Sequence, residues 1–232
     1  MAVTMRTPGN DFELAVGFLH SEGLLGSRRD VSSVAYCELP REEQQYNVVT
    51  VRLTRPFALD RPPRHFQVSS SCGVCGKTSL DQIKSICRPL SAAEGPVVNA
   101  STLISLPDLL ASSQRVFAKT GGLHASGLFN PDGSLIEARE DIGRHNALDK
   151  LVGWALLSDR LPLASGILMV SGRVSFELVQ KAATAGVSIV CAVSAPSSLA
   201  VEAGQELGLT IVGFVRGERF NVYTHPERVH AP

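Results

Sequence analysis

The sequence predicts an α/β fold: a larger domain over residues 96–232 built round a mostly parallel sheet, and a smaller N-terminal α+β subdomain over residues 1–95. Three observations carry this. The last third alternates apolar runs (G-I-L-M-V at 166–170, V-S-I-V-C-A-V at 187–193, L-T-I-V-G-F-V at 209–215) with short helical stretches. Apolar strands separated by helices are the pattern of parallel βαβ units, in which helices cover the sheet. The first half carries an amphipathic helix and an alternating strand instead, and L-S-A-A-E-G-P-V-V-N-A (90–100) reads as the connection between the two.

The elements follow in chain order. Asn10 or Asp11 can cap a first helix, in which Phe12, Ala15, Val16 and Leu19 recur at helical spacing and which ends near Gly23. N-V-V-T-V-R-L-T (47–54) alternates apolar and polar residues and predicts a strand. The proline-rich stretch Arg55 to Arg64 is a loop, and S-S-S-C-G-V-C-G-K after it is a second, mobile one. Ser105, Leu106 and Pro107 open a helix to about Lys119, since proline is tolerated in a first turn. A hairpin turns at Asn130 to Gly133, and Asp141 starts the next helix. Helices over 175–185 and 197–207 end at Gly186 and Gly208.

Composition bounds the function. With 44% hydrophobic and 19% charged residues, 232 residues make one large core or two small ones. Lys plus Arg and Asp plus Glu both total 22, a balance that argues against a protein built to grip nucleic acid. The sequence shows no apolar run of membrane-spanning length and no secretory signal. Five cysteines, only two of them close together, fit a reducing cytoplasm better than a disulfide scaffold.

Four constellations carry chemistry. Cys72 and Cys75, with Lys77 beside them, form a C-x-x-C that suits zinc binding, redox or sulfur transfer, or nothing special. Two thiols at this spacing can attack, hold and resolve a sulfur–sulfur bond, and no second C-x-x-C exists to close a four-ligand zinc site. His124, in T-G-G-L-H-A-S-G-L-F, can polarise a thiol or contact a ligand, or serve as a hydrogen-bonded structural histidine. R-E-D-I-G-R-H-N-A-L-D-K (139–150) crowds Arg144, His145 and other polar residues at a helix start, where anions bind. Finally, the three apolar strands run into Ser171 to Arg173, Ser194 to Ser198 and Arg216 to Phe220. Ligands of open parallel sheets sit beyond the carboxyl ends of strands. Ser171, Arg173, Ser194, Arg216 and Arg219 would thus suit a nucleotide-like anion.

Taken together, M-R-T-P-G-N-D-F-E-L-A-V-G-F-L-H-S-E-G-L, the C-G-V-C-G loop, T-G-G-L-H-A-S, R-E-D-I-G-R-H-N-A-L-D-K, S-G-R-V-S-F-E-L-V-Q-K, S-A-P-S-S-L-A and G-F-V-R-G-E-R-F-N-V-Y-T closely resemble the FdhD family over nearly the whole chain. The resemblance implies a sulfurtransferase that accepts persulfide sulfur from a cysteine desulfurase. The sulfur would pass to the molybdenum (or tungsten) bis-pyranopterin guanine dinucleotide, as substrate, for formate dehydrogenase. A guanine nucleotide such as GDP would mimic that substrate. The resemblance makes Cys72 the persulfide carrier with Cys75 assisting, and Phe214, Val215, Arg216, Gly217, Glu218 and Arg219 the guanine-nucleotide segment. It also implies a cytidine-deaminase-like three-layer fold, a homodimer, and further residues ahead of the M-R-T-P-G-N-D match. Zinc deaminase chemistry itself is disfavoured. His124 is followed by Ala125 and Ser126 rather than x-Glu, Ser71 rather than Pro precedes Cys72, and the C-x-x-C comes before the histidine. A cofactor-binding chaperone without covalent sulfur is the competing expectation.

Overall fold

The three apolar runs become neighbouring parallel strands. In the computed structural model, which describes residues 2–37, 46–55, 66–67, 89–91 and 95–230, β8 (Ile167–Val170), β9 (Ile189–Ala192) and β10 (Thr210–Arg216) pair in parallel, with Ile167 opposite Ile189 and Ile189 opposite Thr210. Helices α5 (Phe176–Thr184) and α6 (Ser198–Leu207) link them. The sheet is mixed at its margins. The hairpin β6 (His124–Phe129) and β7 (Leu135–Asp141) adds antiparallel strands beside β8, and β11 (Arg219–Val222) adds one beside β10. The order is β11-β10-β9-β8-β6-β7.

Side-chain alternation along the strands divides the core between the two faces. Leu168 and Val170 join Leu148, Leu151 and Val152 of α4 (Arg144–Leu157), and Val179 and Ala203 of α5 and α6. Ile167 and Met169 join Leu103, Leu106 and Leu110 of α2 (Ala100–Ser113) on the other face. Helices, sheet and helix thus form three layers, and the fold is α/β.

A further helix, α1 (Asp11–Ser21), lies outside α4, with Val16 and Leu156 in a third apolar cluster. Glycines set how closely the two helices meet. A Cβ on Gly17 would fall 1.8 Å from the Asp149 carbonyl oxygen, and one on Gly153 1.8 Å from that of Glu13. The antiparallel pair β2 (Val31–Tyr36) and β3 (Val49–Leu53) follows α1. Two short parallel pairs complete the described chain: β1 (Ala2–Val3) with β4 (Phe66–Gln67), and β5 (Val98–Asn99) with β12 (Val229–His230). The expected boundary near residue 95 falls between β4 and β5, and α1, although on its N-terminal side, packs against α4.

Three expectations shift. The helix expected from Ser105 begins at Ala100, with Asn99 as its N-cap, so Pro107 sits in its interior. It stops at Ser113, and Phe117–Thr120 forms the separate short helix α3. Asp141 ends β7 rather than starting α4: its carboxylate accepts the Gly143 N–H at 2.9 Å, the local bond that turns strand into helix. Asn10 stands at the N-cap of α1 in the left-handed region, φ 57°, and caps nothing with its side chain.

Candidate functional site

Strand register gathers the predicted residues along one edge. Val170 lies opposite Ala192 and Cys191 opposite Val212, so the carboxyl ends of β8 and β9 are level and β10 runs past them to Arg216. The bridge between Val174 and Pro196 ties the first two turns together. Ser171 and Ser194 sit half-buried at these ends and Arg173 is exposed. Ser171 Oγ accepts the Ala125 N–H at 2.9 Å. Because β6 runs antiparallel to β8, its first residue, His124, comes to the same edge, close enough that a Cβ on Gly172 would meet the His124 Nδ1 at 3.2 Å. Arg144 and His145 open α4 there. His124, Arg144, Ser171, Arg173, Ser194 and Phe214 to Arg219 therefore share one edge. Cys72 and Cys75 lie outside the described residues.

The third strand end departs from a strand-to-helix turn. β10 continues into β11 through Gly217 and Glu218, and Arg216 faces Arg219 across the hairpin. A bulge between Gly213 and Arg216 interrupts the register, and Phe214 takes a left-handed φ of 55°, a conformation costly for an aromatic residue and concentrated at functional sites. The Arg216 guanidinium lies over the Phe214 ring, 5.4 Å from its centroid. Val215 is buried, and Arg216 to Arg219 are exposed.

The electrostatics are one-sided. Burial, and then the charges of Arg144, His145 and Arg173, hold the His124 imidazole below its ordinary proton affinity. His145 Nε2 lies 2.9 Å from Ser175 Oγ and 3.0 Å from a Glu177 carboxylate oxygen, and this hydrogen bond keeps the Glu177 carboxyl below its usual range. Glu177 is the acidic partner of His145, exposed Glu218 sits between Arg216 and Arg219, and Arg173 forms no ion pair among the described residues. Buried Cys191, in contrast, has its thiol pushed up by desolvation and is an inert core residue.

A cleft of about 300 Å³ opens beside this edge, on the α2 face of the sheet. Ser171, Val193, Val215 and Arg216 form one wall, and Ile104, Pro107, Asp108 and Gln114 of the α2 region the other. Gln114 is 6% exposed, and its amide nitrogen has no hydrogen-bond partner among the described residues. A buried donor left unsatisfied costs about 1–3 kcal/mol, and a bound acceptor would recover it. Apolar walls with a few convergent polar groups suit a small planar ligand. Sequence reasoning missed the α2 wall, because Asp108 and Gln114 have no motif to mark them and read as ordinary polar positions of a surface helix.

The R-E-D-I-G-R-H-N-A-L-D-K cluster divides in two. Arg144 and His145 stay at the edge, whereas Asp141, Asn146 and Lys150 turn inward. Lys150 Nζ is 2.7 Å from Asp141 Oδ2, the side chains 1% and 0% exposed, and it also donates to the carbonyls of Thr7 at 2.9 Å and Glu140 at 3.2 Å.

With this geometry established, comparison with known proteins identifies the family. A model of the FdhD/NarQ family matches residues 1–230. The chain belongs to the FdhD/NarQ family. It is 51% identical over 235 residues to the sulfur carrier protein FdhD of Mycolicibacterium paratuberculosis, covering 99% of this chain and 86% of that protein. It is 52% identical over 237 residues to that of Streptomyces coelicolor, covering 99% and 83%. Among solved structures, one assigned as a formate dehydrogenase accessory protein from Desulfotalea psychrophila superposes with a TM-score of 0.73 at 25% identity, covering 98% of this chain and 83% of that one. Among the described residues, no helix is long and apolar enough to cross a membrane.

Proposed function

We propose that this protein is a cytoplasmic sulfurtransferase in the maturation of formate dehydrogenase. Cys72 attacks the outer sulfur of a cysteine desulfurase persulfide, taking that sulfur and releasing the desulfurase thiolate. Cys75 then attacks the inner sulfur of the Cys72 persulfide. A Cys72–Cys75 disulfide forms, and the outer sulfur leaves as hydrosulfide, reduced by the two thiol electrons, for the molybdenum (or tungsten) bis-pyranopterin guanine dinucleotide substrate. The edge residues Ser171, Arg173, Ser194 and Arg216, with His124 and Arg144, hold the anionic part of that substrate, and the cleft takes its planar base. Two copies of the chain form the working unit.

The observation that carries this reading is the gathering of three parallel strand ends, bearing serines and arginines, at one edge beside a cleft with a donor that has no partner among the described residues. Such an edge suits phosphates and a heterocycle, and the family match supplies the sulfur chemistry. The same cleft needs no thiol, which favours a non-covalent cofactor chaperone as the second reading.

Intact mass after incubation with a cysteine desulfurase and cysteine separates the two. A reductant-sensitive gain of one sulfur, absent in Cys72→Ala and retained in Cys75→Ala, is the expected result. No gain while the desulfurase turns over would overturn the sulfur relay and leave the chaperone.

A further inference from the structure

The segment joining β1 to α1 is held in an unusual way. Its backbone is bound by side chains from well over a hundred positions further along the sequence. Asn146 Nδ2 donates to the Met5 carbonyl at 2.7 Å and to Asp141 Oδ1 at 3.0 Å. The Thr7 N–H donates to Asp141 Oδ2 at 3.0 Å, Lys150 Nζ donates to the Thr7 carbonyl at 2.9 Å, and Thr7 Oγ1 accepts the Ile142 N–H at 2.9 Å. The segment and the side chains and backbone that bind it are separated by 134 to 143 positions along the chain. Asp141, Asn146 and Lys150 are 0%, 6% and 1% exposed, so this clamp is buried and saturated.

One residue beyond the clamp, β1 pairs in parallel with β4, Ala2 opposite Phe66 and Val3 opposite Gln67. Both β1 side chains are exposed, Val3 at 67%. β1 therefore gains nothing from burying its own side chains, and a two-residue ladder is weak alone. What fixes β1 is the clamp at Met5 and Thr7. Cys72 follows Gln67 by five positions in the sequence.

We propose that residues 2–7 are a strap. Clamped by Asp141, Asn146 and Lys150, they hold β4, and through it position the start of the cysteine-bearing stretch relative to the cationic edge. One motif does both jobs: Arg144 and His145 face the edge, and Asn146, in the same helical turn, fastens the strap. Asn146 and Thr7 are positioning residues, and their bearing on transfer rests on the sulfur-carrier reading.

Hydrogen exchange read by mass spectrometry on the full chain tests the strap without reference to sulfur. In the wild type the amides of residues 66–67 exchange more slowly than in an unstructured peptide. In Asn146→Ala, exchange speeds up in 2–7 and in 66–67 together by about two- to tenfold, the size expected for one lost hydrogen bond to a buried group, while β8, β9 and β10 keep their protection. Thr7→Val, which removes only a hydroxyl, reproduces the effect more weakly, and Thr7→Ser restores wild-type exchange. Acceleration confined to 2–7, or free exchange at 66–67 in the wild type, would overturn the proposal. In sulfur assays, Asn146→Ala loads Cys72 from a small polysulfide as fast as the wild type but passes sulfur on more slowly. Unchanged onward transfer overturns the positioning role. If wild-type Cys72 fails to load at all, the sulfur-carrier reading fails while the exchange result still decides the strap.

Discussion

The interior of α4 and the strand-end edge treat charge in opposite ways. Inside, every charge has its complement. Asp149 Oδ1 accepts from Ser21 Oγ and Lys181 Nζ at 2.8 Å each, and Lys150 is surrounded by Asp141 and two carbonyls. At the edge, His124, Arg144, His145, Arg173, Arg216 and Arg219 gather with Glu177 and Glu218 as the acidic members. Burying a charge is costly unless it is paired and hydrogen-bonded, so the interior was completed with partners from α1, α5 and the N-terminal segment. The edge stays half-exposed and cationic because water, or an anion, completes it. The contrast separates residues that hold the fold from residues available to a ligand, although both come from one short motif.

Substitutions can break that contrast or sharpen it. Asp141→Asn leaves Lys150 buried without a counter-charge and should lower unfolding free energy by about 3–5 kcal/mol, read as a fall in the denaturant midpoint at unchanged slope. A loss below about 1 kcal/mol would mean that the interior charges are solvated after all. Gly153→Ala drives a methyl into the Glu13 carbonyl, where backbone cannot yield, and should cost about 1–3 kcal/mol or more. At the edge the balance reverses. Arg216→Ala should leave stability within about 0.5 kcal/mol and weaken calorimetric binding of GDP by about 1.5–3 kcal/mol, the worth of a hydrogen bond to a charged group. Gln114→Leu should weaken the same binding by about 0.5–1.5 kcal/mol without harming the fold, since the amide nitrogen has no partner among the described residues to lose.

The smallest effect is on pH. The His124 proton affinity lies below its ordinary value in the folded protein, so the unfolded chain takes the proton first. Stability therefore declines as pH falls from about 6.5 towards the lower folded-state value. Binding of an anion favours the charged ring, so GDP affinity rises through the same window. His124→Asn should flatten both slopes, and a GDP affinity that keeps its acid-side rise in that variant would assign the titration to another group.

Much of this was legible in the sequence. The strands at 167–170, 189–192 and 210–216 were marked by apolar runs with helices between them, and topology alone then aligned their ends. Hence Ser171, Ser194 and Arg216 could be read as neighbours. The α2 wall could not, because Asp108 and Gln114 belong to the cleft only through the packing of that helix on the sheet. The start of α2 was misplaced because Pro107 resembles a first-turn proline, whereas tertiary contacts of Leu103 and Leu106 extend the helix before it. Likewise Asp141 has the chemistry of a cap, but its carboxylate serves Lys150 and Thr7, partners that no local window contains.

The glycine-to-backbone crossing of α1 and α4 has a consequence during synthesis. Ser21 and its partner Asp149 are 128 positions apart. At about 5–20 residues per second, the ribosome needs on the order of ten seconds to deliver α4 after α1 has emerged. Throughout that interval Leu25 and Val31 can meet Val16, but the surface round Gly17 that α4 covers stays open. A nascent chain stalled between these two helices should therefore present α1 to holding chaperones, and one stalled well past Leu157 should not.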